Sequence, residues 1–431
     1  MYALRPAFDT VADMIGKGKK VPESLLEIFA QNPEYSAKLD SLINAKDKVP
    51  FKIFDKKNAE KLFGKNLNIS ASQLEKFNLC RFSYFCNYGL NVRERQRAEI
   101  NPMQYGTIVH YILERFFGEY TKEEYLSLEE DKLQKIVCAY LAEYAVKYFG
   151  EEQLESNSFT YRLKTILDNV MHLMKHIMEE LSQSEFFVAD CEIKIGEDIT
   201  SYTIVLPDGH KIAVCGSVDR VDIMQRADIT YLRIIDYKTG TKQFKLSDIL
   251  YGINLQMLLY LHSIEASGGD KYGEIVPAGI LYMPATVPYI SSDSLKSIDK
   301  LPDELNKKLK MNGLLLKDTE IIHGMDKTDV ATYIPVKIKA GEPVSSTSLA
   351  TLAEFGKIFK KVDMLIAEMG KNIYNGNIEA KPLKGGHDSC EYCPYDSVCA
   401  YRQSNPITCF SVDNKTVIEE ITNEINGKEE E

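Results

Sequence analysis

Nowhere in the 431 residues is there an uninterrupted run of about 18 apolar positions, which argues against a membrane-spanning helix. The opening MYALRPAFDT lacks the basic start, apolar stretch and small-residue cleavage site of a secretory signal, so a cytoplasmic protein is expected. A Gly-x4-Gly-Lys-Ser/Thr loop is missing too, and with it the usual cradle for ATP phosphates. Any ATP-driven movement would have to come from a partner. Internal repeats and long low-complexity linkers are absent. Positive charge is in deficit: the formal charge of -11 disfavours loose adhesion to nucleic acid, though not a local basic channel. Residues 411–431 hold seven acids against two lysines, so they account for -5 of that charge and read as a disordered acidic tail. The nine cysteines are odd in number and unevenly placed, which points to metal or cluster ligation rather than a disulfide framework.

What is present supports a folded enzyme. A hydrophobic content of 44% is enough for real cores, and the length allows two or three domains. Residues 1 to about 67 are Lys-rich with short amphipathic stretches such as SLLEIFAQN and SAKLDSLINA. A Ser-x-x-Gln/Glu pattern near Ser70 and Ser72 predicts a helix cap, and YGTIVHYILERFFGEY repeats apolar residues at helical spacing. A third helical block is expected over 122–182. After Glu185 come β-like runs, with LPDG as a hairpin turn, then a helical LSDILYGINLQMLLYLHSI, a strand in PAGILYMPA and a helix over about 346–369.

The charge in SVDRVDIMQRADITYLRIIDYKTG is out of place for core strands. Asp219 lies within one apolar strand, and Asp236 and Lys238 close the next. Residues two apart on a strand share a face, so Asp236 and Lys238 project together. Two carboxylates on adjacent strands can hold a hard divalent ion such as magnesium. A lysine beside it could orient the attacking water or stabilise charge at phosphorus. Gln256 and Tyr260 stand four apart on the following helix, and His110 on an earlier one can add a nitrogen ligand. Alone, Asp-x-Lys is often a solvated turn and a single helical His is usually packed core. It is the combination that points to a site.

Near the C-terminus, CEYCPYDSVC sets Cys390, Cys393 and Cys399 close together, which suits zinc or an iron-sulfur cluster with a fourth ligand from elsewhere. Cys80, Cys86 and His387 are the candidates. Cys138, Cys191, Cys215 and Cys409 read as small buried hydrophobes. If Cys80 is the ligand, the centre staples the first helix to the last segment.

SASQLEKFNLCRFSYF, YGTIVHYILERFF, GSVDRVDI, IIDYKTG, QMLLY and CEYCPYDSVC follow one another in an order that resembles the RecB-like branch of the PD-(D/E)XK nucleases, and within it the AddB-type subunits of helicase-nucleases. The resemblance covers roughly residues 65 to 405. It implies an α/β fold with a central mixed sheet flanked by helices, a helical insertion at about 121–185 and a Cys-rich end at 387–402, together forming a nuclease domain over 68–410. Residues 1–67 then resemble the end of a helicase-like region. By the same resemblance His110, Asp219, Asp236 and the Tyr237 carbonyl bind Mg²⁺ (or Mn²⁺), Lys238 is the catalytic lysine, and Gln256 and Tyr260 flank the site. Cys80, Cys390, Cys393 and Cys399 match the ligands of a 4Fe-4S cluster, with one departure, since Arg81 stands where the family commonly has proline. The implied activity is hydrolysis of single-stranded or end-processed DNA during double-strand break repair, with an AddA-like helicase as partner. Arg93, Arg95, Arg97, Arg220, Lys242 and Lys245 are candidate phosphate contacts. The alternatives are a DNA-end-binding scaffold with a silent site, or a standalone nuclease of the same branch.

Overall fold

The computed structural model describes residues 4–44, 52–93, 102–150, 156–240, 242–286, 301–345, 347–399, 401 and 406–429. The chain folds as two compact units. One comprises Met1–Lys65, Lys76–Glu94 and Lys371–Cys409, the other Asn66–Glu75, Arg95–Gly370 and Phe410–Glu431.

In the first unit the amphipathic leader makes three helices, Leu4–Gly16, Glu23–Ala30 and Ser36–Asn44. They bury Phe8, Val11, Phe29, Tyr35 and Leu39 in a small core of their own, in which the Phe8 and Phe29 rings meet edge to face. The Tyr374 hydroxyl donates to the carbonyls of Gly64 and Lys65, at 3.2 and 3.0 Å. Gly376, at φ +70°, accepts a 2.8 Å bond from Ile53 N–H, and a side chain there would strike the Ile53 carbonyl.

The second unit carries a six-stranded sheet: β1 (Phe187–Ile195), β2 (Gly216–Arg226), β3 (Ile229–Lys238), β4 (Glu274–Pro284), β5 (Asn312–Leu316) and β6 (Leu349–Ala350). The strands lie side by side in chain order. The β3/β4 and β5/β6 pairs are parallel and the others antiparallel, so the sheet is mixed. Flanking it are α1 (Pro102–Glu119), α2 (Asn157–Ser182), α3 (Gln256–Ser267) and α4 (Leu352–Tyr374). Helices on both faces explain why β3 and β4 read as near-continuous apolar runs, with Leu232, Ile234, Ile235, Ile280 and Leu281 fully buried. LPDG is the expected hairpin turn, joining Thr203–Val205 to Lys211–Val214. No helix among the described residues is long and apolar enough to cross a membrane.

Three expectations need correction. The run beginning LSDILYG is not one helix. Its first residues form a 3₁₀ turn, Leu246–Tyr251, and left-handed Gly252 and Asn254 delay α3 until Gln256. The helix expected from residue 346 starts at Leu352, because Leu349 and Ala350 pair as β6 and Thr351 then forms a capping box with Glu354. The acidic tail is ordered: α5 (Asn414–Glu429) is capped by Asp413 and buries Val417, Ile421 and Ile425 at a spacing of four. Glu424 meets the buried Lys361 ammonium at 2.6 Å. Each of those three apolar side chains contributes about 1.5–3 kcal/mol on burial, enough to order a helix whose outer face is acidic.

Candidate active site

The ladder between β2 and β3 ends at Arg220↔Ile235, and Asp219 and Asp236 sit at the next opposed position, where the two strands part. On the other side of β2, β1 pairs Cys191 with Arg220 and Ile193 with Val218, which brings Glu192 alongside Asp219. Glu192 has φ +51°, a strained conformation for a non-glycine residue within a strand. α1 supplies His110. Its Nδ1 lies 2.7 Å from Glu192 Oε1, its Nε2 lies 3.6 Å from Asp219 Oδ2, and Ser217 Oγ donates to Glu192 Oε2 at 3.0 Å. Tyr237 N–H donates to Asp219 Oδ2 at 2.9 Å, and Lys238 Nζ lies 2.5 Å from Asp236 Oδ2.

One ligand atom each from His110, Glu192 and Asp219 falls within 4.8 Å of the others, a donor set of hard oxygens and one imidazole that suits a divalent cation. The electrostatics agree with the geometry. Burial, then the neighbouring Asp236 carboxylate, pushes Asp219 up to about 7, and burial raises Asp236 despite the Lys238 ammonium. Burial pulls His110 down, but the Glu192 hydrogen bond and the Asp219 charge outweigh it and leave it raised. Two adjacent buried carboxylates retain a proton near neutrality unless a cation takes its place. These residues fit a metal.

Tyr260, buried on α3, accepts the Ala71 backbone N–H, and burial pushes its hydroxyl up to about 12. Its hydroxyl lies so close to Gly216 that any side chain at 216 would collide with it, so Tyr260 fixes the start of β2. Gln256 is partly buried at the first turn of the same helix. Arg220 is not a DNA contact. Its neighbour Asp219 faces the site, so strand alternation turns Arg220 the other way, into a fully buried network. There its Nε meets Asp222 at 2.6 Å and its Nη2 meets Glu180 of α2 at 3.0 Å, while Arg233 bonds the same two acids at 2.8 and 2.6 Å. Lys242 is partly buried, Lys245 and Arg93 are exposed, and Arg95 and Arg97 lie outside the described residues.

Glu192 is the functional candidate that sequence reasoning missed. Its one signal was an acid between Cys191 and Ile193 in an otherwise β-like run, the same anomaly that marked Asp219.

The cysteine centre belongs to the first unit. Cys80 and Cys86 are buried with Tyr395, and Cys393 and Cys399 pack against them. Cys390 lies close enough to raise the Cys399 thiol, behind the larger effect of burial. All nine cysteines are unpaired. The Cys80 sulfur accepts backbone N–H groups from Ser83, Phe82 and Lys381, and Cys399 accepts one from Tyr401. Such donors favour thiolates, while burial and the neighbouring sulfurs oppose them, so the arrangement fits a cationic cluster. Arg81 opens the short helix Arg81–Tyr84 behind Cys80. A first helical position tolerates proline but does not require it, so the turn survives the departure.

Residues 68–400 match the PD-(D/E)XK nuclease superfamily. In Thermoanaerobacter sp. (strain X514), an AddB-type ATP-dependent helicase/deoxyribonuclease subunit is 34% identical over 354 residues, covering 79% of this chain and 30% of the relative. The protein of the same name from Ruminiclostridium cellulolyticum is 32% identical over 427 residues, covering 94% of this chain and 37% of the relative. That of Clostridium kluyveri is 34% identical over 397 residues, with coverages of 88% and 34%. The chain thus spans about a third of the length of these curated relatives. With the mixed sheet, the paired carboxylates and the lysine all inside the matched residues, the chain belongs to the PD-(D/E)XK nuclease superfamily and is a metal-dependent hydrolase of the nuclease class.

Proposed function

We propose that this chain hydrolyses DNA phosphodiester bonds with Mg²⁺ (or Mn²⁺), as a single-strand exonuclease serving double-strand break repair within an AddAB-type helicase-nuclease. The observation that carries the reading is the meeting of His110, Glu192 and Asp219 within 4.8 Å, with Asp236 and Lys238 at 2.5 Å beside them. His110, Glu192, Asp219, Asp236 and the Tyr237 carbonyl would hold the ion, which supplies Lewis acidity toward the phosphate and an acidified water. Glu192 anchors His110 through Nδ1, leaving Nε2 directed at Asp219. The Lys238 ammonium is placed to orient the attacking water and to stabilise charge at phosphorus. Tyr260 keeps Asp219 in register by fixing the start of β2, and Gln256 begins the same helix.

The names of the relatives, together with the missing ATP-phosphate loop, support an AddA-like helicase as a separate motor. Cys80, Cys390, Cys393 and Cys399 would hold a 4Fe-4S cluster in a structural role.

The test is cleavage of end-labelled single-stranded DNA with Mg²⁺ by protein purified without air, beside Asp236→Ala and Lys238→Ala. Metal-dependent cleavage reduced about a thousandfold in both variants is expected. A folded, iron-loaded wild type that leaves the strand intact would sink the nuclease reading in favour of a DNA-binding module.

A further inference from the structure

Beside the Asp236–Lys238 pair lies a second amine. Lys242 Nζ is 5.1 Å from the centre of the Tyr282 ring, and Lys238 Nζ is 5.8 Å from the same ring. Tyr282 stands on β4 opposite Asp236 and is 1% exposed. Its hydroxyl has no hydrogen-bond partner among the described residues, so it is the ring, not the hydroxyl, that touches the site.

Lys242 is not a loose surface lysine. Asn312 of β5, itself paired with Tyr282, receives Phe244 N–H at 2.8 Å and donates to the Lys242 carbonyl at 2.9 Å. This clip ties the segment bearing Lys242 to the sheet. Glu75, Asp236 and Asp248 are near enough to influence the ammonium, yet among the described residues it forms no ion pair. Two ammonium groups held on one aromatic ring repel each other unless anions join them, and successive phosphates of a nucleic-acid strand are anions at a fixed spacing.

We infer that Lys242 binds the phosphate adjacent to the scissile one, with the Tyr282 ring as the platform that sets the spacing between the two amines. This rests on the nuclease reading and adds a subsite to it. Tyr282 is a positioning residue, and the ligand class is a single-stranded phosphodiester chain. Recognition there is of the backbone and carries no base preference.

The full chain is titrated with a labelled single-stranded oligonucleotide in Ca²⁺ over a range of salt, and cleavage is followed in Mg²⁺. Lys242→Gln should flatten the salt dependence of log K by about 0.7, the share of one phosphate on a single strand. It should also raise KM about tenfold while lowering kcat by less. Tyr282→Leu should lower kcat as well as flatten the slope, and Tyr282→Phe, which keeps the ring, should fall between wild type and Tyr282→Leu. Melting curves establish that each variant is folded. A wild type that cleaves, beside a folded Lys242→Gln with the wild-type slope, overturns the subsite alone. A wild type that neither binds nor cleaves overturns the nuclease reading and the subsite with it.

Discussion

The carboxylate centre and the cysteine centre are built in opposite ways. Glu192, Asp219 and Asp236 ride on three neighbouring strands of one sheet, all from a short stretch of chain, and only His110 arrives from a separate helix. The thiols come from segments about three hundred residues apart. They rest on a four-residue helix, a π-helical turn and loops held by single turn bonds such as Cys393 N–H to the Cys390 carbonyl at 3.3 Å. The sheet would keep its geometry with or without an ion, since its strands are locked by ladders and by apolar burial on both faces. The cysteine segments have little besides their thiols to draw them together. A metal is a reagent at the first centre and a structural member at the second.

The sharpest way to break this contrast is to remove one thiol. Cys80→Ala should abolish bound iron and open residues 371–409 to limited proteolysis, while the sheet unit stays resistant. Intact resistance without iron would show that the segment holds itself together. A smaller effect is expected at the other centre, where Glu192→Gln should weaken Mn²⁺ binding by about 10–100-fold, read by calorimetry, without moving the melting temperature. An unchanged affinity would remove Glu192 from the ion's surroundings.

The smallest effect involves neither centre. His262 lies between Asp363 at 3.0 Å and Glu265 at 3.7 Å, and stacks on Phe359. Burial alone would lower it, but the two carboxylates raise it to about 9 from an ordinary 6.5. Its contribution is therefore complete below pH 6.5 and lost as the pH climbs through 9, because the unfolded chain releases that proton first. Asp363 is partly exposed, so about 1–2 kcal/mol is at stake. His262→Gln should flatten the fall in melting temperature across that window, whereas an unaltered fall would assign it to other groups.

Much of the sheet and of its centre was legible because misplaced charge stands out against apolar strands: Asp219, Asp236 and Lys238 were marked by their neighbours alone. Glu192 was not, because an acid in a strand that reads as half-exposed raises no alarm, and its partner His110 lies 82 residues away. Arg220 was misread because Asp-Arg-Val-Asp resembles a wet turn. Only the register against Arg233, and the arrival of Glu180, show that its charge is balanced in the interior. The last helix was hidden by composition, its acids outnumbering the three apolar residues that hold it down. Pattern reveals which face of an element is apolar, whereas pairing between distant charges appears only after folding.

That buried quartet of Glu180, Arg220, Asp222 and Arg233 bears on how the chain could be trimmed. Glu180 lies at the end of the helical insertion, and the other three are on the sheet. Cutting the insertion away to reach a minimal catalytic core would leave two guanidinium groups sharing one carboxylate in a dry interior, a cost of about 3–5 kcal/mol. The insertion can change length anywhere before its final turns, but those turns belong to the sheet as firmly as any strand. The same charges set an order of assembly, since β2 and β3 cannot shed their water until α2 has docked.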